Sequence, residues 1–201
     1  AVTKIAEGAF YGCRYFEGAL TIPARIAEIG TAAFRGDYGL TALTFAGAEV
    51  PAGLTVGDYA FDGHRITSIT FAEGSLVRSI GAYAFRFGDY RAQRNADKAI
   101  SIPASVTSVG DGAFANWYKL SVTIESGENV LAFGNGVFAD CEIGTLTLPK
   151  NVTALPNFFS GLLVGEIVVD KENPVFLSLD GVLYTKNANN DPDVLLLYPS
   201  G

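Results

Sequence analysis

Apolar and small polar residues alternate along this chain in short bursts that return at a regular interval. Leu40-Thr-Ala-Leu43-Thr-Phe45, Ile66-Thr-Ser-Ile69-Thr-Phe71, Ile143-Gly-Thr-Leu146-Thr-Leu148 and Val164-Gly-Glu-Ile167-Val-Val169 share one pattern. Such spacing sends neighbouring side chains to opposite faces, so each burst reads as a short strand with one buried face. Several bursts run into proline, at Ile22-Pro23, Ile102-Pro103 and Leu148-Pro149. Proline has no N–H for a ladder, so it ends the strand and turns the chain. A second apolar pair follows (Ile26 and Ile29, Val106 and Val109, Val152 and Leu155) and leads into a Gly and Ala-Phe segment. That segment is too short for a long helix, which predicts a turn or a short helical piece.

The interval is itself a structural signal. Ile29-Gly-Thr-Ala-Ala-Phe34, Val56-Gly-Asp-Tyr-Ala-Phe61, Ile80-Gly-Ala-Tyr-Ala-Phe85, Val109-Gly-Asp-Gly-Ala-Phe114 and Phe133-Gly-Asn-Gly-Val-Phe138 are versions of one segment. Ile5-Ala-Glu-Gly-Ala-Phe10 opens the series, and Leu155-Pro-Asn-Phe-Phe159, one residue shorter, closes it. The final Phe residues are spaced by 24, 27, 24, 29, 24 and 21 residues. The basic unit is therefore about 24 residues, with insertions at Ala48–Gly53 and Asp89–Lys98. A unit this small cannot bury its own apolar face, whereas units stacked in register share one core. The reading is a single repeat domain over 1–201, about seven units long, with the Phe residues piled into a column. Near the end, Asp180-Gly181 reads as the turn of a β-hairpin, and Leu195–Tyr198 before Pro199 reads as the start of another strand-proline unit. The chain starts and stops within a unit and shows no polar cap, so a longer parent protein is expected.

Composition removes several classes of function. The chain is 49% apolar and only 17% charged, which excludes disorder, and it has no 18-residue apolar run to span a membrane. Net charge is −7, the wrong sign for nucleic acid. The charge is uneven: residues 1–98 hold ten basic and ten acidic groups, residues 99–201 four Lys and eleven acids, and all eight Arg lie at or before Arg94. Cys13 and Cys141 sit five units apart, about 24 Å at strand spacing, too far for a disulfide, whose Cα atoms lie within about 7 Å. Both read as small buried residues. The one histidine, His64, shares its place in the unit with Cys13, Asp37, Trp117 and Cys141, which reads as a tolerant position. No catalytic motif, cofactor motif or metal-ligand spacing stands out. Asp58, Asp111 and Asn135 follow the repeat glycine and read as turn or cap residues, with calcium binding the weaker alternative.

Two surfaces are candidates for binding. With Leu43, Phe45, Ile69, Phe71, Val122 and Ile124 inward, the residues between them form an outward file of Thr21, Thr44, Thr70, Ser101, Thr123, Thr147 and Val168. It is flat and nearly uncharged until Glu125, Glu166 and Asp170, and Thr is also simply favoured on exposed strands. The second candidate is the insertion Phe87–Lys98, where Tyr90, Arg91 and Arg94 are residue types enriched at binding hot spots. Trp117 and Tyr118 hold the equivalent place in the next unit, so stacking is expected to bring them beside it.

The recurring Ile-Gly-x-x-Ala-Phe, the strand and the proline together resemble the BspA-type leucine-rich repeat family. Phe10-Tyr-Gly-Cys13 followed by Leu20-Thr-Ile22-Pro23 carries the likeness, as does Ile100-Ser-Ile102-Pro103-Ala-Ser-Val106-Thr-Ser-Val109-Gly110. The resemblance implies a leucine-rich-repeat solenoid: a right-handed, curved superhelix with a parallel β-sheet on the concave face and short turns or helical pieces on the convex side. It implies a bacterial protein, secreted or on the cell surface, that is no enzyme, uses no cofactor and acts in adhesion. The expected partner is an extracellular host or matrix protein, bound through the concave face and the inserted loop. A structural spacer and a glycan-binding accessory protein are the alternatives.

Overall fold

The computed structural model describes residues 2–47, 53–88 and 97–199. Its strands are β1 (Lys4–Ile5), β2 (Gly18–Ile22), β3 (Glu28–Ile29), β4 (Leu40–Phe45), β5 (Leu54–Val56) and β6 (Ser68–Phe71). They continue as β7 (Val77–Ile80), β8 (Lys98–Ile102), β9 (Ser108–Val109), β10 (Leu120–Ile124), β11 (Ala132–Phe133), β12 (Glu142–Leu148) and β13 (Leu163–Val169). Three more follow: β14 (Phe176–Leu179), β15 (Val182–Lys186) and β16 (Pro192–Leu197).

The alternating bursts form a seven-stranded parallel sheet in the order β13-β12-β10-β8-β6-β4-β2. Neighbours in this sheet are one unit apart in sequence, as in-register stacking requires. β2, β8 and β12 stop directly before Pro23, Pro103 and Pro149. Leu43, Phe45, Ile69, Ile100, Ile102, Val122, Ile124, Leu146 and Leu148 are buried, while the Thr and Ser residues between them face outward. Phe71, expected inward with this set, is half-buried and stacks on Phe45 at 4.9 Å.

The second apolar pair does more than turn the chain. It forms a second parallel sheet, β1-β3-β5-β7-β9-β11, in which Ile5, Ile29, Val56, Ile80, Val109 and Phe133 pair in succession. A single unit offers only two to four residues here, too few to read as a strand; the ladder exists because every coil brings them to the same height. No helix occurs among the described residues, so each Gly and Ala-Phe segment resolves as a turn.

The phenylalanine column is present. Phe10, Phe34, Phe61, Phe85, Phe114 and Phe138 stack with centroid separations of 4.8, 5.0, 5.4, 5.5 and 5.6 Å and planes within 15° of parallel. The last unit departs from expectation. Phe158, not Phe159, enters the core and meets Phe138 edge-on at 71°, and Phe159 is half-buried. The shortened unit thus presents its earlier Phe to the column.

Beyond β13 the chain leaves the solenoid. Asn173 is buried, donates to the Pro149 and Val152 carbonyls at 2.9 and 2.8 Å, and accepts from the Val175 and Phe176 amides. Asp180 and Gly181 both have positive φ (51° and 79°), the geometry of a two-residue hairpin turn, and join β14 to β15 antiparallel. The segment expected to open another strand-proline unit is instead β16, which folds back antiparallel on β15. Phe176 and Leu183 of this three-stranded sheet are buried in the common core, and Ser178 accepts the Val169 amide at 3.1 Å.

Candidate binding surfaces

The outward file is in register. Thr21 pairs with Thr44 and Thr44 with Thr70; Ser101 pairs with Thr123, and Thr147 with Val168. Thr21, Thr70, Thr123 and Val168 are exposed and Thr44, Ser101 and Thr147 half-buried. Glu125 edges the file, accepting from Ser101 Oγ at 3.1 Å and from the Ala104 amide at 3.2 Å. The result is a row of short hydroxyl side chains on a rigid sheet, with neighbouring strands about 4.8 Å apart.

The insertion candidate divides. Tyr90, Arg91 and Arg94 lie outside the described residues. Tyr118 is half-buried. Trp117 corrects the sequence reading: it is fully buried and offers no surface to a ligand. Its indole packs against His64 and Phe87 with centroids at 5.4 and 5.3 Å, and its Nε1 donates to the Phe85 carbonyl at 2.8 Å. Four of the residues three after a column Phe, Asp37, His64, Trp117 and Cys141, face inward and are buried; Cys13, expected buried, is exposed, as is Gly88. The position accepts Cys, Asp, His, Gly and Trp, as its reading as a tolerant position has it, and in four coils it is part of the interior. The signal was available, since Trp117 shares its slot with His64 and should share its environment.

This inner column has its own chemistry. His64 Nε2 lies 3.0 Å from the Phe85 carbonyl and Nδ1 accepts the Ile66 amide at 2.9 Å, which assigns the proton of a neutral ring to Nε2. Burial pulls its pKa down to about 4. Cys141 Sγ bonds the Phe114 carbonyl, and burial pushes its thiol up to about 12, so it is no nucleophile. Asp37 is buried, and desolvation raises its carboxyl to about 6, the Cys13 backbone amide opposing in part.

These two shifts oppose each other in their effect on stability. From about pH 6.5 down to 4 the unfolded chain protonates at His64 and the folded chain does not. Stability from His64 is therefore lost as pH falls through this window, by up to about 3 kcal/mol. Asp37 acts the other way: between 3.8 and about 6 the folded chain holds a proton that the unfolded chain releases, so its contribution falls as pH rises. Urea unfolding of Asp37→Asn between pH 4.5 and 6 is expected to show stability rising with pH more steeply than in the parent. An unchanged slope removes Asp37 from the account.

Asp58 and Asp111 act as caps across coils: their Oδ1 atoms accept the Ala82 and Asn135 amides of the next unit, both at 2.7 Å. A Cβ on Gly81 or Gly134 would meet those same carboxylates, and at Gly30, Gly57, Gly81, Gly110 and Gly134 alike it would meet the backbone of the preceding coil, which accounts for the glycine in the repeat. Among the described residues no cluster of three His, Cys, Asp or Glu is placed to hold a metal. Sequence reasoning passed over one group, Arg35, Asp62 and Arg86, in which both guanidiniums converge on one nearly buried carboxylate.

A solenoid of short coils that displays two parallel sheets and a row of turns is a repeat protein. The chain belongs to the family described as BspA type leucine rich repeat region, six copies of which match residues 1–92 and 86–162. No curated protein matches it by sequence. Among solved structures it is similar to the pneumococcal vaccine antigen PcpA, at 25% identity and TM-score 0.71, over 90% of this chain and 47% of that one. It also shares its fold with a leucine rich cell surface protein from Faecalibacterium prausnitzii A2-165, at 23% identity and TM-score 0.53, over 91% of this chain and 54% of that one. The chain thus spans about half the length of these structures. No helix among the described residues is long and apolar enough to cross a membrane.

Proposed function

We propose that this chain is a non-enzymatic recognition module at a bacterial surface, holding an extracellular host or matrix protein on the outer face of the seven-stranded sheet. The in-register row from Thr21 to Thr147 carries the reading. It is a preformed, flat surface of small hydroxyl groups without large charges, and a rigid parallel ladder lets it bind with little rearrangement. Membership of the BspA-type family and the likeness to a vaccine antigen support a place outside the cell. The insertion bearing Tyr90, Arg91 and Arg94, residue types enriched at binding hot spots, is assigned to the same function.

The test is binding of the purified chain to immobilised extracellular-matrix proteins, with a Thr70→Arg/Thr123→Arg variant and a Tyr90→Ala variant alongside. The sheet variant is expected to weaken capture at least ten-fold while leaving the thermal midpoint unchanged, since both positions face solvent. Capture that ignores both variants, or no capture by the folded parent, overturns this reading in favour of a spacer that displays other domains.

A further inference from the structure

We infer that a second site, separate from the sheet face, lies along the Phe turns of the first four coils, where a glycine-floored cleft binds a carboxylate-bearing sugar chain. The cleft encloses about 360 Å³ and is lined by Tyr11, Tyr38, Arg35, Asp62 and Arg86, with Gly36, Gly63 and Gly88 beneath. Its charged wall comes from one position of the unit, the residue directly after the column Phe: Tyr11, Arg35, Asp62, Arg86. In the next two units this position is Ala115 and Ala139, so the wall ends there. That confinement places part of the chain's uneven arginine distribution in a single feature.

The wall is held in advance of any ligand. Arg35 Nε pairs with Asp62 at 3.0 Å, and Arg86 donates to the same carboxylate through Nε and Nη2 at 2.7 and 3.0 Å. Arg35 lies over the Tyr59 ring at 5.1 Å and Arg86 over Tyr83 at 4.9 Å, and the two tyrosines stack at 5.3 Å. Both tyrosines have left-handed backbones, with φ of 55° and 53°, where Gly8, Gly112 and Gly136 stand in other units. A bulky residue there is strained, and strain of this kind is retained where surrounding structure and use demand it. Here it places the aromatic platforms that fix the two guanidiniums.

The arrangement leaves binding capacity unspent. The terminal nitrogens of Arg35 and Nη1 of Arg86 make no hydrogen bond among the described residues, and the two side chains are 42% and 36% exposed. Two arginines against one aspartate give the cleft a positive balance on a chain of net −7. Fixed guanidinium forks of this sort select planar carboxylates.

The floor then selects the kind of carboxylate. The Gly36, Gly63 and Gly88 amides already donate to the Asp62, Arg86 and His64 carbonyls at 2.9, 3.0 and 3.2 Å. Along this floor an extended peptide finds no free backbone donors among the described residues to zip along, as strand addition needs. A sugar needs none: Tyr11 and Tyr38, exposed at 62% and 44%, supply ring faces and hydroxyls. Positive φ at Gly36 and Gly63 disfavours side chains that would fill the trough. From Tyr11 to Arg86 the wall runs three coil steps, about 14 Å, enough for a short oligosaccharide.

Calorimetry at low ionic strength with trigalacturonate, its carboxyl-reduced trisaccharide and tetraglutamate tests the site on the whole chain. Trigalacturonate is expected to bind and the reduced sugar to bind at least ten-fold more weakly. Arg35→Gln and Tyr38→Ala are each expected to weaken trigalacturonate at least ten-fold. Arg35→Gln keeps its thermal midpoint, because Arg86 still holds Asp62 by two bonds. Thr70→Arg/Thr123→Arg leaves this binding unchanged, so the two surfaces fail or succeed separately. The site is overturned if trigalacturonate does not bind, or binds equally to both cleft variants; tetraglutamate binding as tightly reassigns it to acidic peptides.

Discussion

Trp117→Ala is expected to destabilise the central coils by about 3–5 kcal/mol and to act on binding only through lost structure. The indole is fully buried, and its removal opens a cavity where rings from three coils meet: His64, Phe87 and Trp117 lie 5.3 to 5.5 Å apart, centroid to centroid. The neighbouring coil cannot fill the gap, because its residue at this position is Gly88, whose Cβ would collide with Gly63. The Phe85 carbonyl also loses one of its two side-chain donors. Urea unfolding checks this, with Thr123→Ala as the exposed control expected within about 0.5 kcal/mol of the parent. A Trp117→Ala protein that unfolds at the parent's urea midpoint would show that the indole is not part of the core.

Phe114→Ala is expected to cost a similar 3–5 kcal/mol or so, with a different signature. Phe114 stacks on Phe85 at 5.5 Å and on Phe138 at 5.6 Å, so its ring is the link between the first four coils and the last three. In a repeat protein stability is held largely in such nearest-neighbour interfaces. Loss of the link should separate unfolding into two steps, and hydrogen exchange should show the coils on either side of Phe114 opening with different free energies. A single transition of unchanged midpoint falsifies the column as the coupling element.

The residues on strands behaved as their pattern dictates. Alternation around Leu43-Thr-Phe45 fixes which side chains face the core whatever the neighbours do, and a proline such as Pro103 ends a ladder by its own chemistry. The Ala-Phe period fixed the stacking, because one coil is too small to bury its apolar face alone. Trp117 and the Arg35-Asp62-Arg86 group were less legible for a common reason. An aromatic or a charge has the same composition whether it faces water or a neighbouring coil, and only its slot in the unit distinguishes the two. The second sheet was invisible for another reason: Ile29, Val56 and Ile80 become a ladder only when 24 to 27 residues of intervening chain return them to one height.

By itself, then, the sequence determined the repeat, the strands of the large sheet, the aromatic column and the family, since these rest on local alternation and on a period long enough to be unambiguous. The tertiary structure decided what the turns present. It turned the slot three after the Phe inward in the central coils, burying His64 and Trp117 together around one carbonyl. It brought Arg35 and Arg86, in the slot directly after the Phe and 51 residues apart in sequence, to the single, nearly buried Asp62 carboxylate. Both outcomes depend on left-handed backbone positions such as Tyr59 and Tyr83, whose conformation is set by packing between coils and not by their own preference.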